Sequence, residues 1–527
     1  MTYEQAGNSQ SGLGVIKEDG DTLTLVDRAT HHYTTSLSTI EISSQNASRL
    51  IREFHKFFND AVTTGVGEYK SYIIKNTPGN EERIKTLIEL LDRNKIAYSA
   101  PKVGAVNGYS YGNRRSENFS IEPDDILVSS LQPKSALVKV LFEPNSKLVD
   151  SVTYDITAWS LPYVYGLDAY ATKQMIPSAG SWSVPVKNAL DAQSSYGYVL
   201  PWKGMQTAKT VSQLLLQGVK LRYVEEPFES GGKKFNRGSI LILKTGNNSS
   251  AWDVVRQVCN QNSTTLYPIS TGFVDKGFDF GSAKVHYLKP PKVALLTGPG
   301  IGSNSAGEIW FLFEQQLNYP VTLINLNSLS RVKWNGFDVL IMPDGNYSFL
   351  ADKTSADEFH DWISKGGKVI AMEGAVAQLS KLDWAIKVKK PDEADKKDST
   401  YAALRRYEDR DREPVANITA GSIYKVELDN THPLAFGYPG YYYTLKQDDN
   451  IYEFVKDGWN VGIIRKNEPV EGFVGYKLKP RLKDGLLFGV QNIGNGTITY
   501  LADDILFRNF WENGKLMFCN AVFLVGQ

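Results

Sequence analysis

Four short runs, PKVALLTG, PVTLINL, FDVLIMPDG and GGKVIAMEG, constrain what this chain can fold into more than any other feature. Each is apolar and rich in β-branched residues, and the helical stretches SNSAGEIWFLFEQQLN and SADEFHDWISKG lie between them. Strands that are apolar without alternation, separated by helices, predict a parallel sheet covered on both faces. The closing stretch GNGTITYLADDILFRNFWENGKLMFCNAVFLV reads as a strand, a loop and a docked terminal helix that complete this α/β domain, assigned to 289–527. Within it, the mixed-sign run KVKKPDEADKKDSTYAALRRYEDRDRE reads as a solvated insertion near 387–413.

Upstream of LKPP the texture differs. YKSYIIKN predicts a strand, EERIKTLIELLDRN a helix with Ile84, Leu87, Ile88 and Leu91 on one face, and KIAYSA a second strand, which together form a βαβ unit. EPDDILVSSLQPKSALVKVLFEP adds a strand and a helix. A similar order recurs in SYGYVLPW, GMQTAKTVSQLLLQGVK, LRYVEEPF and FNRGSILILKTGNNSSAWDVVRQVC. Matching Tyr72 with Tyr198 gives an offset of 126 residues, and matching Ile126 with Ile240 gives 114. Similar order at unequal spacing suggests a diverged duplication, with α/β units at 65–190 and 191–288. Between the copies, TYDITAWSLPYVYGLDAYAT reads as aromatic, Gly/Pro-punctuated loop.

The first 64 residues end in a helix within SSQNASRLIREFHKFFNDAV, with Ser43 or Ser44 as the expected N-cap. Ala47, Leu50, Ile51, Phe54, Phe57, Phe58 and Ala61 recur at spacings of three and four. Burying its five large apolar side chains would contribute roughly 10 kcal/mol gross. Such a helix calls for a sheet beneath it, and TLTLVDR and STIEIS are the only strand-like runs available there.

Composition narrows the function classes. Lysine plus arginine equals aspartate plus glutamate, 58 each, which argues against a nucleic-acid partner engaged through bulk charge. No apolar run approaches the roughly 18 residues of a membrane span. The opening MTYEQAGNSQSG has neither the basic nor the apolar region of a signal peptide. The run TGPGIGSNSAGEIW places Gly298, Gly300 and Gly302 between a strand and a helix, but without the G-x-G-x-x-G spacing, and reads as a turn. The six histidines form no H-x-x-E or H-E-x-x-H, and Cys259 and Cys519 are too few for a zinc cluster or a disulfide framework. The chain alone is therefore expected to hold no metal and no cofactor.

FDVLIMPDG followed by GGKVIAMEG resembles the class I glutamine amidotransferase-like fold. In that family the glycine-rich turn precedes the strand leading into the elbow of the catalytic cysteine. Here the corresponding residues are Met372, Glu373 and Gly374, so the resemblance implies the scaffold without the reaction.

A second resemblance spans almost the whole chain. TYEQAG, followed by THHYTTSLSTIEISSQNASRLIREFHKFF, is similar to the end of the catalytic domain in zinc carboxypeptidases of the carboxypeptidase A type. TYDITAWSLP, LDNTHPLAFGY and ADDILFRNFW resemble parts of the extra region carried by long bacterial members. This resemblance implies a multidomain α/β protein in which 1–64 is the remnant of a carboxypeptidase domain and Glu4 matches its general base. In the intact family, zinc polarises the scissile carbonyl and activates water, and the glutamate relays the proton. The substrate is a peptide or protein C-terminus, and the intact relatives are periplasmic or secreted. The zinc ligands and the carboxylate-binding arginines belong upstream of the glutamate, so the chain alone is expected to be inactive. Two other readings remain: a peptide- or protein-binding module on a degenerate amidotransferase-like scaffold, and a hydrolase using Glu373 with His360 or His432.

Overall fold

The computed structural model describes residues 13–17, 19–148, 153, 155–183, 196–390, 404 and 406–527. Glu4 lies outside them, as does much of the charged run. The architecture is multidomain and α/β, with two five-stranded sheets followed by one large mixed sheet.

A short hairpin of Gly14–Ile16 with Thr22–Thr24, the strand part of TLTLVDR, leads into two consecutive helices, α1 (Leu25–Gln45) and α2 (Ala47–Thr63). A capping box starts α1: the Asp27 N–H donates to Thr24 Oγ1 (3.2 Å) and the Thr24 N–H donates to Asp27 Oδ2 (2.9 Å). This corrects the strand reading of STIEIS, which lies inside α1; a capped helix meets its own backbone bonds where a strand would need a neighbour. Ser43 and Ser44 also fall within α1, and Asn46 is the junction residue before α2.

The first sheet uses β1 (Ser71–Ile74), β2 (Gly104–Ser110), β3 (Arg115–Ile121), β4 (Ile126–Ser129) and β5 (Ala169–Thr172), in the order β3-β2-β5-β1-β4. Helix α3 (Glu81–Arg93) follows β1 and buries Ile84, Leu87, Ile88 and Leu91, the face expected from its spacing. The AYAT of the aromatic loop is β5, which pairs with β1 and corrects the reading of that segment as loop throughout.

The second sheet uses β6 (Gly197–Leu200), β7 (Leu221–Val224), β8 (Ile240–Leu243), β9 (Tyr267–Ile269) and β10 (Val285–Leu288), in the order β9-β6-β8-β7-β10. Helix α4 (Met205–Leu216) follows β6 and α5 (Ser249–Gln261) follows β8. Register relates the two sheets. Tyr72 faces Val128 and Ile74 faces Ile126 in the first; Tyr198 faces Ile242 and Leu200 faces Ile240 in the second. The same offsets that align the tyrosines and isoleucines in sequence therefore align the strand pairs. Each unit is a βαβ crossover with an antiparallel strand inserted: β4 pairs with both β1 and Ser99, and β8 with both β6 and β7.

The large sheet begins with β11 (Val293–Thr297), β12 (Val321–Asn325), β13 (Val339–Met342) and β14 (Lys368–Met372), and its last parallel strand is β15 (Gly496–Leu501). Their order is β12-β11-β13-β14-β15, parallel throughout, as the unalternating runs predict. Antiparallel strands Gly485–Ile493, Gly458–Ile464, Ser422–Leu428 and Tyr441–Lys446 extend it beyond β15.

The terminal helix α6 (Glu512–Phe523) is buried at all twelve positions. Trp202 Nε1 donates to Asn520 Oδ1 (2.6 Å), and Asn520 Nδ2 donates to the carbonyls of Leu434 and Phe436 (2.9 Å each). Arg83 of α3 donates to Asn513 Oδ1 (3.0 Å). One helix thus ties both smaller units to the large sheet, within one continuous hydrophobic core.

Candidate functional site

The carboxyl ends of parallel strands are where an open α/β sheet presents its backbone to ligands. Here those ends carry acids: Asp344 after β13, Glu373 after β14, and Asp503 and Asp504 after β15. A further acid, Glu308, comes from the helix Ser303–Phe311 that follows β11.

Glu373 joins β14 to the short helix Gly374–Leu379 at φ +45° and ψ −114°. A residue with a Cβ holds such a backbone only when its surroundings enforce it, at a cost of about 1–3 kcal/mol. The Glu373 N–H donates to the Leu501 carbonyl of β15 (2.9 Å), and the Gly374 N–H donates to Asp344 Oδ1 (3.1 Å). Glycine makes room for this bond: a Cβ on residue 374 would lie 2.3 Å from Asp344 Oδ1 and displace that carboxylate. Asp344 is held in turn, its own N–H donating to Ser305 Oγ (3.1 Å).

The charges are arranged in two halves. On one side, Lys446 is fully buried and pairs with Asp503 (2.9 Å) and with Asp448; Thr444 Oγ1 donates to the other Asp503 oxygen (2.7 Å). Burial alone would drive the Lys446 ammonium toward neutrality, but the two carboxylates hold it charged. On the other side, among the described residues, the acids pair with no such cation. Burial, then the neighbouring Asp504, Asp344, Asp448 and Asp503, push Glu373 up to about 9. Burial pushes Glu308 up to about 7, and burial with the adjacent Glu308 raises Asp504 well above the usual carboxylate range. Glu308 Oε2 accepts the Arg508 N–H (2.8 Å), and the side chain, only 7% exposed, also hydrogen-bonds to that of Asp504.

At neutral pH, therefore, Glu373 keeps its proton. A protonated carboxyl donates as well as accepts hydrogen bonds and is a poor general base. The elbow that the amidotransferase-like resemblance assigns to a nucleophile carries a neutral acid. Cys259 and Cys519 are buried in α5 and α6, away from the elbow, with their thiols pushed up by burial.

Neither proposed histidine partner of Glu373 is among the charged neighbours that act on it. His360 packs against Trp384 (4.8 Å between ring centroids), and His432 Nδ1 accepts the Leu434 N–H (3.1 Å), with burial pushing it down to about 4. Among the described residues, no group of three histidine, cysteine or acidic side chains is arranged to hold a metal ion. The Gly298–Gly302 run is the turn expected, with Gly300 at φ +89°. Sequence reading singled out Glu373 but not Asp344, Glu308, Asp503 or Asp504. The D of MPDG and the DD of LADD, each just past a β-branched strand, were the available signal.

No family model and no curated protein matches this chain. Among solved structures, a ThuA-like protein from Bacteroides uniformis is 14% identical over 44% of this chain and 89% of its own, with a TM-score of 0.30. A glutamine amidotransferase from Thermotoga maritima is 8% identical over 44% of this chain and 96% of its own, with a TM-score of 0.28. A β-galactosidase from Bacillus circulans sp. alkalophilus is 14% identical over 42% of this chain and 30% of its own, with a TM-score of 0.24. The likeness to ThuA-like and amidotransferase-like folds is weak.

Proposed function

We propose that this chain is the C-terminal accessory part of a zinc carboxypeptidase-like protein, with its large-sheet unit used for binding rather than amide transfer. The observation that carries the first half is the surface of α2. Leu50, Ile51, Phe54, Phe57 and Phe58 are 44%, 59%, 62%, 48% and 40% exposed, and only Ala61 of that helix is buried. Contiguous apolar surface of this kind marks an interface. In the proposed protein the catalytic domain covers it, supplies zinc and its ligands, and gives Glu4 the rigid surroundings a general base needs. The reaction is the family's hydrolysis of C-terminal peptide bonds. The proton-holding elbow at Glu373 supports the second half.

The test is the intact mass, N-terminal sequence and zinc content of the native protein from its own cell. The reading expects a longer product with an H-x-x-E upstream and about one zinc per chain, the number a mononuclear catalytic site holds. A zinc-free product that starts at Met1 would overturn it and leave a free-standing binding module.

A further inference from the structure

A cleft of about 760 Å³ opens where the two smaller units meet the large-sheet unit. That volume suits a small organic ligand. Its walls come from the turn between β1 and α3 (Thr77–Asn80), the turn between β6 and α4 (Pro201–Lys203), the hairpin strand Lys233–Phe235, and the loop from Gly437 to Tyr441. The site described above is not part of it.

The lining is electrically one-sided. Arg83, Lys203, Lys233, Lys234 and Arg237 face one acid, Asp168. The carboxylates that pair with three of these cations stand outside the wall: Glu81 with Lys203 (3.4 Å), Glu229 with Lys234 (3.8 Å) and Glu226 with Arg237 (2.6 Å). Arg83 differs again. Its guanidinium donates to the Gly166 carbonyl, Asn513 Oδ1 and Asn80 Oδ1, all uncharged acceptors, and its Nε is buried with no partner. Its hydrogen bonds neutralise none of its charge, and the acids that act on it from a distance are Asp168 in the lining and Glu512 outside it. One aromatic wall also carries charge within the cleft: Lys233 Nζ sits 4.3 Å from the Tyr267 ring centroid. For a chain with equal numbers of acidic and basic residues, this concentration of positive charge is local.

We propose that the cleft binds a small oligoanion carrying two or more carboxylate or phosphate groups. Arg83 supplies a fixed charge at the floor, and Lys233 and Lys234 on the exposed hairpin close over the ligand's outer anionic group. The inference is independent of what covers α2.

Calorimetric titration of the full chain with triglutamate and with tripolyphosphate at low salt tests it. Lys233→Glu/Lys234→Glu changes two exposed side chains and Lys353→Glu reverses an exposed charge outside the cleft. Saturable binding of at least one probe is expected, weakened about tenfold or more by the double variant and unchanged by Lys353→Glu. The tighter of the two probes tells carboxylate from phosphate as the source of the charge. Binding of neither probe, binding unaffected by the double variant, or equal loss in Lys353→Glu would overturn the proposal.

Discussion

Helices α2 and α6 are both apolar, and their fates are opposite. Helix α2 carries its apolar residues on one stripe and leaves Phe54, Phe57 and Phe58 at the surface; α6 is buried at all twelve positions, Glu512, Asn513, Lys515 and Asn520 included. A helix buried on every side is the centre of something, and α6 is that centre, its two charges paired with each other (Lys515 Nζ to Glu512 Oε2, 2.6 Å). A one-sided helix is half of an interface, and among the described residues the other half of this one is missing. The difference also appears in polar groups. Helix α6 buries Asn513 and Asn520 because each amide is met by a named partner, whereas the polar side of α2 faces water and needs none.

The comparison can be broken at its buried end first. Asn520→Ala strands the Trp202 indole N–H and removes the donor to the Leu434 and Phe436 carbonyls in the core. A loss of about 3 kcal/mol or more is expected in urea denaturation, since each stranded buried group costs roughly 1–3 kcal/mol. A loss under about 0.5 kcal/mol, the range of surface substitutions, would mean α6 is not the tie between units.

A smaller effect is expected at the elbow, where burial is selective for the neutral acid. Glu373 is raised to about 9, so its proton favours the folded state most fully below its ordinary value of 4.5. That contribution is lost as pH rises from 4.5 through 9. Glu308, raised to about 7, acts in the same direction over the lower part of that window, while His432, pushed down to about 4, opposes them below its ordinary 6.5. The difference between Glu373→Gln and the parent isolates the elbow. Thermal denaturation should show the two nearly equal at pH 5, with the variant ahead by about 1 kcal/mol or more at pH 9, since each tenfold change in proton affinity corresponds to about 1.4 kcal/mol. A constant difference across that range would show Glu373 to be ionised in the folded state.

What the sequence made legible followed from local patterning. The unalternating strands announced the parallel sheet, and the offsets of Tyr72/Tyr198 and Ile126/Ile240 suggested a diverged duplication without a strand register. What it hid depended on partners distant in the chain. AYAT is too short and too close to Gly and Pro to read as a strand, yet β1 provides its ladder. STIEIS alternates like a strand but continues a helix begun by Thr24 and Asp27. Glu308, Asp344, Glu373 and Asp504 are scattered over nearly 200 residues, and only the parallel order of β11 to β15 brings them to one edge. The cleft was hidden for the same reason, since its cations come from two units and its walls from three.

The central claim is that α2 is half of an interface. The most direct measurement is light scattering with hydrogen exchange on the full chain and on Phe54→Ser/Phe57→Ser/Phe58→Ser. The account predicts concentration-dependent association of the parent, its loss in the variant, and a change in folding stability within about 0.5 kcal/mol, as for other exposed positions. A monodisperse parent with strongly protected α2 amides, destabilised by several kcal/mol in the variant as core truncations are, would contradict it and place the face against the chain's own core.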